Sequence, residues 1–191
     1  QQVRRATVER VMTAVRATGY IPNALAGGLA SRRSKVIAVV VPQINNNMFV
    51  DTIQALSDEL AVRGYHMLLC VAGYTAQTEA ELVATLLSRR PDGIVLTGTL
   101  HTESSRLRLA QSGIPVVEAW DLSDDPLDML VGFSHEQVGQ AIARHLLDKG
   151  YKRFSILSPG DPRGLRRCNR VIAAPARPGA TCWPPSMRGS R

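Results

Sequence analysis

The chain has 191 residues, of which 45% are hydrophobic and only 5% aromatic. This length suits one ordinary domain with pieces of others, and aliphatic side chains must fill its core. We find no apolar run near the ~20 residues that span a bilayer, and no secretion signal. The three cysteines, Cys70, Cys168 and Cys182, form no CxxC pair. This pattern disfavours a disulfide framework or a zinc site and is typical of a reducing cytoplasm.

The net charge of +7 is unevenly distributed along the chain. Residues 1–35 carry seven Lys/Arg against one acid, residues 36–151 carry seven against fourteen, and residues 152–191 carry nine against one. A basic N-terminal segment joined to an acidic body indicates that the N-terminus meets a polyanion. A solvated basic helix explains the same charges, so charge alone leaves both interpretations open.

The N-terminal segment is predicted to hold two helices. An amphipathic helix over residues 6–17 is indicated by apolar side chains at helical spacing, which are Val8, Val11, Met12 and Val15. Asn23 is a good N-cap for a short second helix over residues 24–30. Gly27 and Gly28 cost that helix about 2 kcal/mol relative to alanine, so it is not expected to be stable alone.

From residue 36 onward, apolar strands alternate with amphipathic helices. Strands are predicted over residues 36–41, 66–71, 93–97, 114–119, 129–133 and 153–157. One helix is predicted with Phe49, Ile53, Leu56 and Leu60 on one side. Two more are predicted over residues 78–90, beginning at a capping box at Thr78, and over residues 103–111. The last begins at a capping box at Ser134 and has Val138, Ile142 and Leu146 facing inward. This alternation predicts an α/β fold with a doubly wound parallel sheet.

The C-terminal residues 171–191 lose this pattern. They contain four prolines and three arginines and show no helical or strand period. We interpret them as a tail foreign to the preceding domain, which a reading-frame shift or an assembly error would produce; a plain disordered tail is the alternative.

Motifs for catalysis and for cofactor binding are absent from the sequence. There is no GxGxxG, no GxxxxGK[ST], no HExxH and no GxSxG. The four histidines form no i, i+4 pair, so metal binding is not expected. The cluster Asp121, Asp124, Asp125 and Asp128 lacks the ligand order of a calcium loop and is interpreted as a solvated acidic loop. We therefore expect a protein that is not an enzyme and needs no cofactor.

Polar and aromatic residues follow the predicted strands, where doubly wound sheets bind their ligands. The candidate effector-binding residues are Asn46, Asn47, Phe49, Tyr74, Trp120, Asp121, Ser134, His135, Arg163 and Arg167. Amides, hydroxyls and a carboxylate pair with the hydroxyls of a sugar, and aromatic rings cover its apolar face. Ordinary loop composition is the alternative interpretation of these residues.

Several ordered motifs carry a resemblance to a known family. The stretch Gly19-Tyr20-Ile21-Pro22-Asn23, then Ala26 and Leu29, resembles the end of the DNA-binding headpiece of lac repressor (LacI/GalR) family proteins. Residues 37–42, 46–49, 92–94 and 113–117 are similar to the effector domain of that family. The resemblance covers residues 1 to about 167, and residues 118–122 and 128–135 are most similar to gluconate-repressor-type members.

The resemblance implies how the N-terminal segment would meet DNA. Residues 24–30 would be the hinge helix, which orders on operator DNA. Leu29 would wedge into the minor groove and kink the duplex; a leucine that only packs a helix is the alternative. The residues expected to contact DNA are Asn23, Ala26, Leu29, Arg32 and Arg33. The base-reading helix of the family is expected to precede this chain.

The resemblance also implies a domain organisation and partners. Residues 1–35 would be headpiece and hinge, 36–134 the first effector subdomain and 135–170 the start of the second, so the chain is expected to be truncated at both ends. Partners would be operator DNA, a sugar or sugar-acid effector and a second copy in a homodimer, in the cytoplasm at the nucleoid and not at a membrane. A sugar acid would need a cation, which Arg163, Arg166 or Arg167 could supply.

Two other classes of protein fit part of the sequence. A periplasmic-type sugar-binding protein would share the architecture, but it should carry an export signal and lack the segment from Tyr20 to Leu29. A doubly wound enzyme such as a nucleotide-dependent kinase or dehydrogenase should show a glycine-rich phosphate loop after a strand. The sequence favours a ligand-controlled DNA-binding repressor over both.

Overall fold

The computed structural model describes residues 3–21, 33–45, 47–151 and 162–173. The chain divides into two compact units, Gln1–Ser34 and Lys35–Arg191. The first unit contains α1 (Arg5–Thr18), which ends at Gly19 in a left-handed conformation with φ of 65°. This helix lies one residue beyond the predicted bounds at each end. The predicted hinge helix over residues 24–30 lies outside the described residues.

The second unit is the predicted α/β domain. Its elements are β1 (Val36–Val41), α2 (Asn47–Val62), β2 (His66–Val71), α3 (Ala76–Arg89), β3 (Gly93–Thr97), α4 (Glu103–Ser112), β4 (Val116–Ala119), β5 (Met129–Val131), α5 (His135–Asp148) and α6 (Pro162–Ala173). All four strand pairings are parallel, and the strand order is β2-β1-β3-β4-β5. The prediction of a doubly wound parallel sheet is confirmed. The predicted sixth strand over residues 153–157 lies outside the described residues.

The core lies on the inner strands of the sheet, chiefly β1 and β3. Val39 pairs with Leu69 of β2 on one side and with Val95 of β3 on the other. The buried cluster is aliphatic throughout, as the low aromatic content predicts: Ala38, Val40, Ala72, Val83, Leu86, Ile94, Leu96, Leu109 and Val116. Helices α3 and α4 pack against each other, and α2 contacts β2.

Strand β2 is more exposed than the inner strands, although its sequence is as apolar as theirs. Leu68, Leu69 and Val71 are 36%, 37% and 52% exposed. The physical reason is position, because β2 lies at one edge of the sheet and pairs only with β1 among the described strands. An apolar sequence allows a strand to be buried, but the position of the strand in the sheet determines how much of it is exposed.

Helix α3 begins three residues earlier than its predicted capping box. Thr75, not Thr78, is the N-cap, and its Oγ1 accepts a hydrogen bond from Thr78 N at 3.2 Å. Thr78 instead lies inside the first turn and donates its hydroxyl to the Ala72 carbonyl. In the second predicted capping box, Ser134 is confirmed as the N-cap, since its Oγ accepts a hydrogen bond from Gln137 N at 3.2 Å.

The C-terminal helices also differ from the predicted pattern. The buried face of α5 is formed by His135, Gly139 and Ala143, whereas Ile142 is 46% exposed. Gly139 and Ala143 are small, and α6 packs against α5. Helix α6 continues to Ala173, with Val171 buried, so regular structure extends three residues into the segment 171–191.

Two strands are shorter than expected. β4 begins at Val116 rather than Ile114, because Pro115 has no N–H to donate to the ladder. β5 ends at Val131 rather than Phe133. Among the described helices, none is both long and apolar enough to cross a membrane.

Candidate functional site: a cleft at the carboxyl edge of the sheet

The candidate site lies where the order of strand addition to the sheet reverses. The chain leaves β1 toward β2 on one side and then crosses to β3 on the other, so the loops after β1 and β3 diverge. A doubly wound sheet binds its ligand at such a switch point, beyond the carboxyl ends of the strands. An open cleft is present there, lined by residues 40–42 at the end of β1, 72–76 and Glu79 after β2, and 97–100 at the end of β3. Thr97 Oγ1 donates to the Val40 carbonyl at 2.8 Å, which ties the two central strands together at the cleft.

Trp120 shapes the loop that follows β4. Its φ is +69°, a left-handed conformation that costs a non-glycine residue roughly 1–2 kcal/mol. Two hydrogen bonds hold it: Trp120 N donates to the Val131 carbonyl at 3.0 Å, and His135 Nε2 contacts the Trp120 carbonyl at 2.9 Å. A carbonyl only accepts, so His135 carries a proton on Nε2. The strained backbone is therefore fixed from β5 and from α5.

Four rings form a row beside this loop. Phe49 meets Trp120 edge to face at 5.2 Å between centroids, Trp120 meets Phe133 at 5.9 Å, and Phe133 meets His135 at 4.9 Å. Edge-to-face pairs of this kind contribute about 0.5–1.5 kcal/mol each beyond area burial. Phe49 is buried, whereas Phe133 is 38% exposed. The row joins the start of α2 to the start of α5.

Asp121 is a fully buried carboxylate with three polar partners. Thr99 Oγ1 donates to Oδ2 at 3.1 Å, and Leu122 N donates to Oδ1 at 2.8 Å. The guanidinium of Arg166, on α6, forms an ion pair with Oδ2. Because Thr99 also lines the cleft, this buried ion pair is connected to the cleft through a single hydroxyl.

Gly132 allows Asp121 to lie against the end of β5. A Cβ at this position would come within 2.9 Å of the Asp121 carbonyl carbon and closer still to its backbone nitrogen and oxygen. Backbone atoms cannot move aside as a flexible side chain can, so only glycine fits. The sequence gives no sign of this requirement, since the two segments meet only in the fold.

A second buried polar cluster lies beside the first turn of α3. His101 Nδ1 contacts Glu79 Oε1 at 2.5 Å, and His101 Nε2 lies 3.2 Å from Glu118 Oε1. Glu118 Oε2 also accepts from Leu127 N at 2.6 Å. Burial lowers the pKa of His101, but hydrogen bonds and charges from Glu79 and Glu118 outweigh burial and leave this pKa above its usual value. The contact with Glu79 is a hydrogen bond, whereas the contact with Glu118 is a close approach without hydrogen-bond geometry.

The structure brings together only some of the predicted effector residues. Phe49, Trp120, Asp121 and His135 lie in one neighbourhood, and Tyr74 lines the cleft at 44% exposure. Asn47 begins α2 and is exposed, and Ser134 is engaged as an N-cap. Arg167 is half-buried on α6, whereas Asn46 and the side chain of Arg163 lie outside the described residues.

The candidate DNA contacts fall almost entirely outside the described part of the chain. Asn23, Ala26, Leu29 and Arg32 are not among the described residues, while Arg33 is exposed in the first unit. In that unit, α1 carries no acid in its first turn and Arg16 in its last. Val8, Val11 and Met12 are 45–55% exposed.

Sequence reasoning missed Glu79, His101 and Glu118 as members of a site, whereas Thr99 belongs to the polar residues that follow the predicted strands. Each missed residue has an ordinary local role in the sequence: a first-turn acid, a lone histidine and an acid within a strand. An acid in the predicted strand at Glu118 was the one available signal, because a charge in a buried strand needs a partner. Arg166 was one of three arginines considered for the cation, and it is the one that pairs with Asp121.

The acidic segment after β4 is not the uniformly solvated loop that we expected. Asp121 is buried, whereas Asp124, Asp125 and Asp128 are exposed. Asp125 pairs with Arg106 at 2.7 Å, and Asp128 Oδ2 accepts from Val116 N at 3.1 Å. The described residues contain no group of three ligating side chains placed to hold a metal ion.

These features define a class of protein. A parallel sheet with strand order 2-1-3-4-5, a switch-point cleft and buried polar groups beside it form a sensor domain of the periplasmic-binding-protein type. The sequence matches the family of "Periplasmic binding proteins and sugar binding domain of LacI family" over residues 34–171. The chain belongs to this family, as the resemblance in its motifs implied.

Individual relatives agree with this assignment. The HTH-type transcriptional regulator GntR of Pseudomonas aeruginosa is 34% identical over 180 residues, which are 94% of this chain and 52% of that protein. A LacI-family transcriptional regulator from Silicibacter pomeroyi has a TM-score of 0.82 at 32% identity, over 90% of this chain and 52% of that one. The transcription regulator GntR from Chromobacterium violaceum has a TM-score of 0.69 at 34% identity, over 78% and 56%. The chain thus spans about half the length of these relatives.

Proposed function

We propose that this chain is part of a ligand-responsive transcriptional repressor whose cleft at the sheet edge binds a sugar or a sugar acid. The observation that carries this proposal is the Asp121–Arg166 ion pair, which Thr99 connects to the cleft. Relatives of the chain are transcription regulators, which favours this function over an enzyme or an exported binding protein.

The polar groups suit a polyhydroxylated ligand that carries an acid. Arg166 is half-buried on α6, and its Nε is buried without a hydrogen-bond partner among the described residues. A carboxylate would pair with such a guanidinium, and hydroxyls would pair with Thr97, Thr99 and Thr75 around the cleft. We therefore propose a sugar acid of the gluconate type as effector, with a neutral sugar as the alternative.

The coupling to DNA belongs to the same proposal. Effector binding would shift the equilibrium between two arrangements of the regulator. The free energy by which the effector changes operator binding would equal the free energy by which the operator changes effector binding. Residues 1–35, with Asn23, Ala26, Leu29, Arg32 and Arg33 as contacts, would bind operator DNA in a homodimer. The protein would act in the cytoplasm at the nucleoid and would need no cofactor.

Calorimetric titration of the purified chain with D-gluconate and D-glucose tests the proposal. We expect saturable binding by the native chain and at least a tenfold loss of affinity in Arg166→Met, which keeps the length of the side chain. Arg108→Met, at an exposed position of α4, is the matched control and should bind as the native chain does. The proposal is overturned if neither ligand binds the native chain, or if Arg166→Met binds the ligand as tightly as the native chain does.

A further inference from the structure

Glu79 is a half-buried acid that also forms part of the cleft wall. Its side chain is 13% exposed, and it lines the cleft together with Tyr74 and Thr75. A carboxylate at such a position is costly unless hydrogen bonds compensate its charge. The arrangement around Glu79 supplies that compensation from the side away from the cleft.

A buried series of contacts fixes the position of this carboxylate. Leu127 N donates to Glu118, Glu118 lies against Nε2 of His101, and Nδ1 of His101 contacts Oε1 of Glu79. The side chains of His101 and Glu118 are only 1% and 0% exposed, so these contacts are shielded from solvent. Glu79 is therefore held in place by groups from the β4–β5 loop, from β4 and from the loop after β3.

The second oxygen of the same carboxylate is the functional group. We propose that Glu79 is a specificity-determining residue of the cleft, whose Oε2 accepts hydrogen bonds from ligand hydroxyls while His101 and Glu118 position it. The chemical class recognised is a polyol end, because a hydroxyl donates to a carboxylate whereas an anionic group is repelled by it. This inference rests on the proposed function and assigns an orientation within that site.

The orientation follows from the charge on the cleft wall. Glu79 lines the cleft at the start of α3, whereas Arg166 does not line it and is connected to it only through Asp121 and Thr99. Because Glu79 repels an anion, a sugar acid would place its carboxylate on the Thr99 side and its terminal hydroxyl toward Glu79. A neutral sugar would keep the contact of its hydroxyl with Glu79.

The test compares ligands that differ by that terminal hydroxyl. Binding of D-gluconate, 6-deoxy-D-gluconate, D-glucose and 6-deoxy-D-glucose is measured by calorimetry on the native chain and on Glu79→Gln. Hydrogen bonds to charged groups are among the stronger ones, so each deoxy ligand should bind the native chain about tenfold or more weakly than its parent. Glu79→Gln should bind the parents about as weakly as the native chain binds the deoxy ligands, with no discrimination left.

Glu81→Gln is the matched control on the same helix. Its carboxylate is exposed and contacts Gln77 Nε2 at 3.3 Å, outside the cleft wall, so it should behave as the native chain. If Glu79→Gln does not fold, Glu79→Asp, which withdraws the charge by one methylene, should show the same loss of discrimination.

The outcomes separate this inference from the proposed function. Native binding of a parent ligand with undiminished discrimination in Glu79→Gln overturns the role of Glu79 alone. Equal native binding of parent and deoxy ligands does the same. If the native chain binds none of the four ligands, the proposed function fails and this inference fails with it.

Discussion

Thr99 donates a 3.1 Å hydrogen bond to the buried carboxylate of Asp121, 22 residues further along the chain. This single contact joins the loop after β3, which lines the cleft, to the loop after β4, which holds the ion pair with α6. Thr99 and Asp121 are both buried, so the connection from the cleft to α6 consists of side chains that are held in place. In the proposed function, this contact would connect the ligand to α6.

Neutralising Asp121 should destabilise the second unit. Asp121→Asn keeps the volume but leaves the half-buried Arg166 guanidinium without its charge partner, which costs about 1–3 kcal/mol after allowance for the 30% exposure of Arg166. Urea denaturation of both proteins measures the loss. Asp125→Asn is the control, because that carboxylate is 91% exposed opposite Arg106 and should change stability little. Equal effects of the two substitutions would contradict the role given to burial.

Adding a methyl group to Gly132 should be more damaging than adding one to an open glycine. Gly132→Ala drives a Cβ into the Asp121 backbone, and such overpacking costs typically 1–3 kcal/mol. Gly113→Ala is the comparison, since nothing lies within 4 Å of its Cβ and only the left-handed backbone, with φ of 68°, is penalised. The free energy of unfolding in urea distinguishes them. A Gly132→Ala protein as stable as the native chain would show that the two segments can move apart.

Stability should fall as pH rises through the titration of His101. The folded-state pKa of His101 lies above its usual value of 6.5, so the folded chain binds this proton more tightly than the unfolded chain does. The contribution is fully present below pH 6.5 and is lost as pH rises through the folded-state pKa. A single titrating group can contribute at most about 1.4 kcal/mol per pH unit to the slope.

Denaturant midpoints measured from pH 6 to pH 8.5 test this linkage. His101→Gln, which cannot titrate, should lose this component of the slope. His145→Gln, at an exposed position on α5, is the control and should retain the native pH dependence. A slope that survives unchanged in His101→Gln would assign the linkage to another group.

The N-cap of α3 offers a prediction about local structure. Thr75→Ala removes the acceptor of the Thr78 N–H and should cost about 1 kcal/mol. Thr85→Ala, in the middle of the same helix, only removes a hydroxyl that bonds the Glu81 carbonyl, and it should be neutral or slightly stabilising. Thermal melts of the two proteins give the comparison, and the reverse ranking would restore Thr78 as the cap.

Local periodicity determined most of the secondary structure. Residues 36–41, 66–71 and 93–97 were predicted with the bounds that the structure shows, because a short apolar run between turn residues is typical of a buried strand. The parallel arrangement followed from the alternation with helices. The switch-point location of the cleft followed from the general behaviour of such sheets.

Only the tertiary structure decided which polar residues act together. Glu79, His101 and Glu118 are separated by 22 and 17 residues, and Asp121 and Arg166 by 45, so no local pattern relates them. The requirement for glycine at 132 and the exposure of β2 are likewise consequences of packing. Sequence periodicity reports which face of an element is apolar, whereas the partners of a buried charge depend on contacts between distant segments.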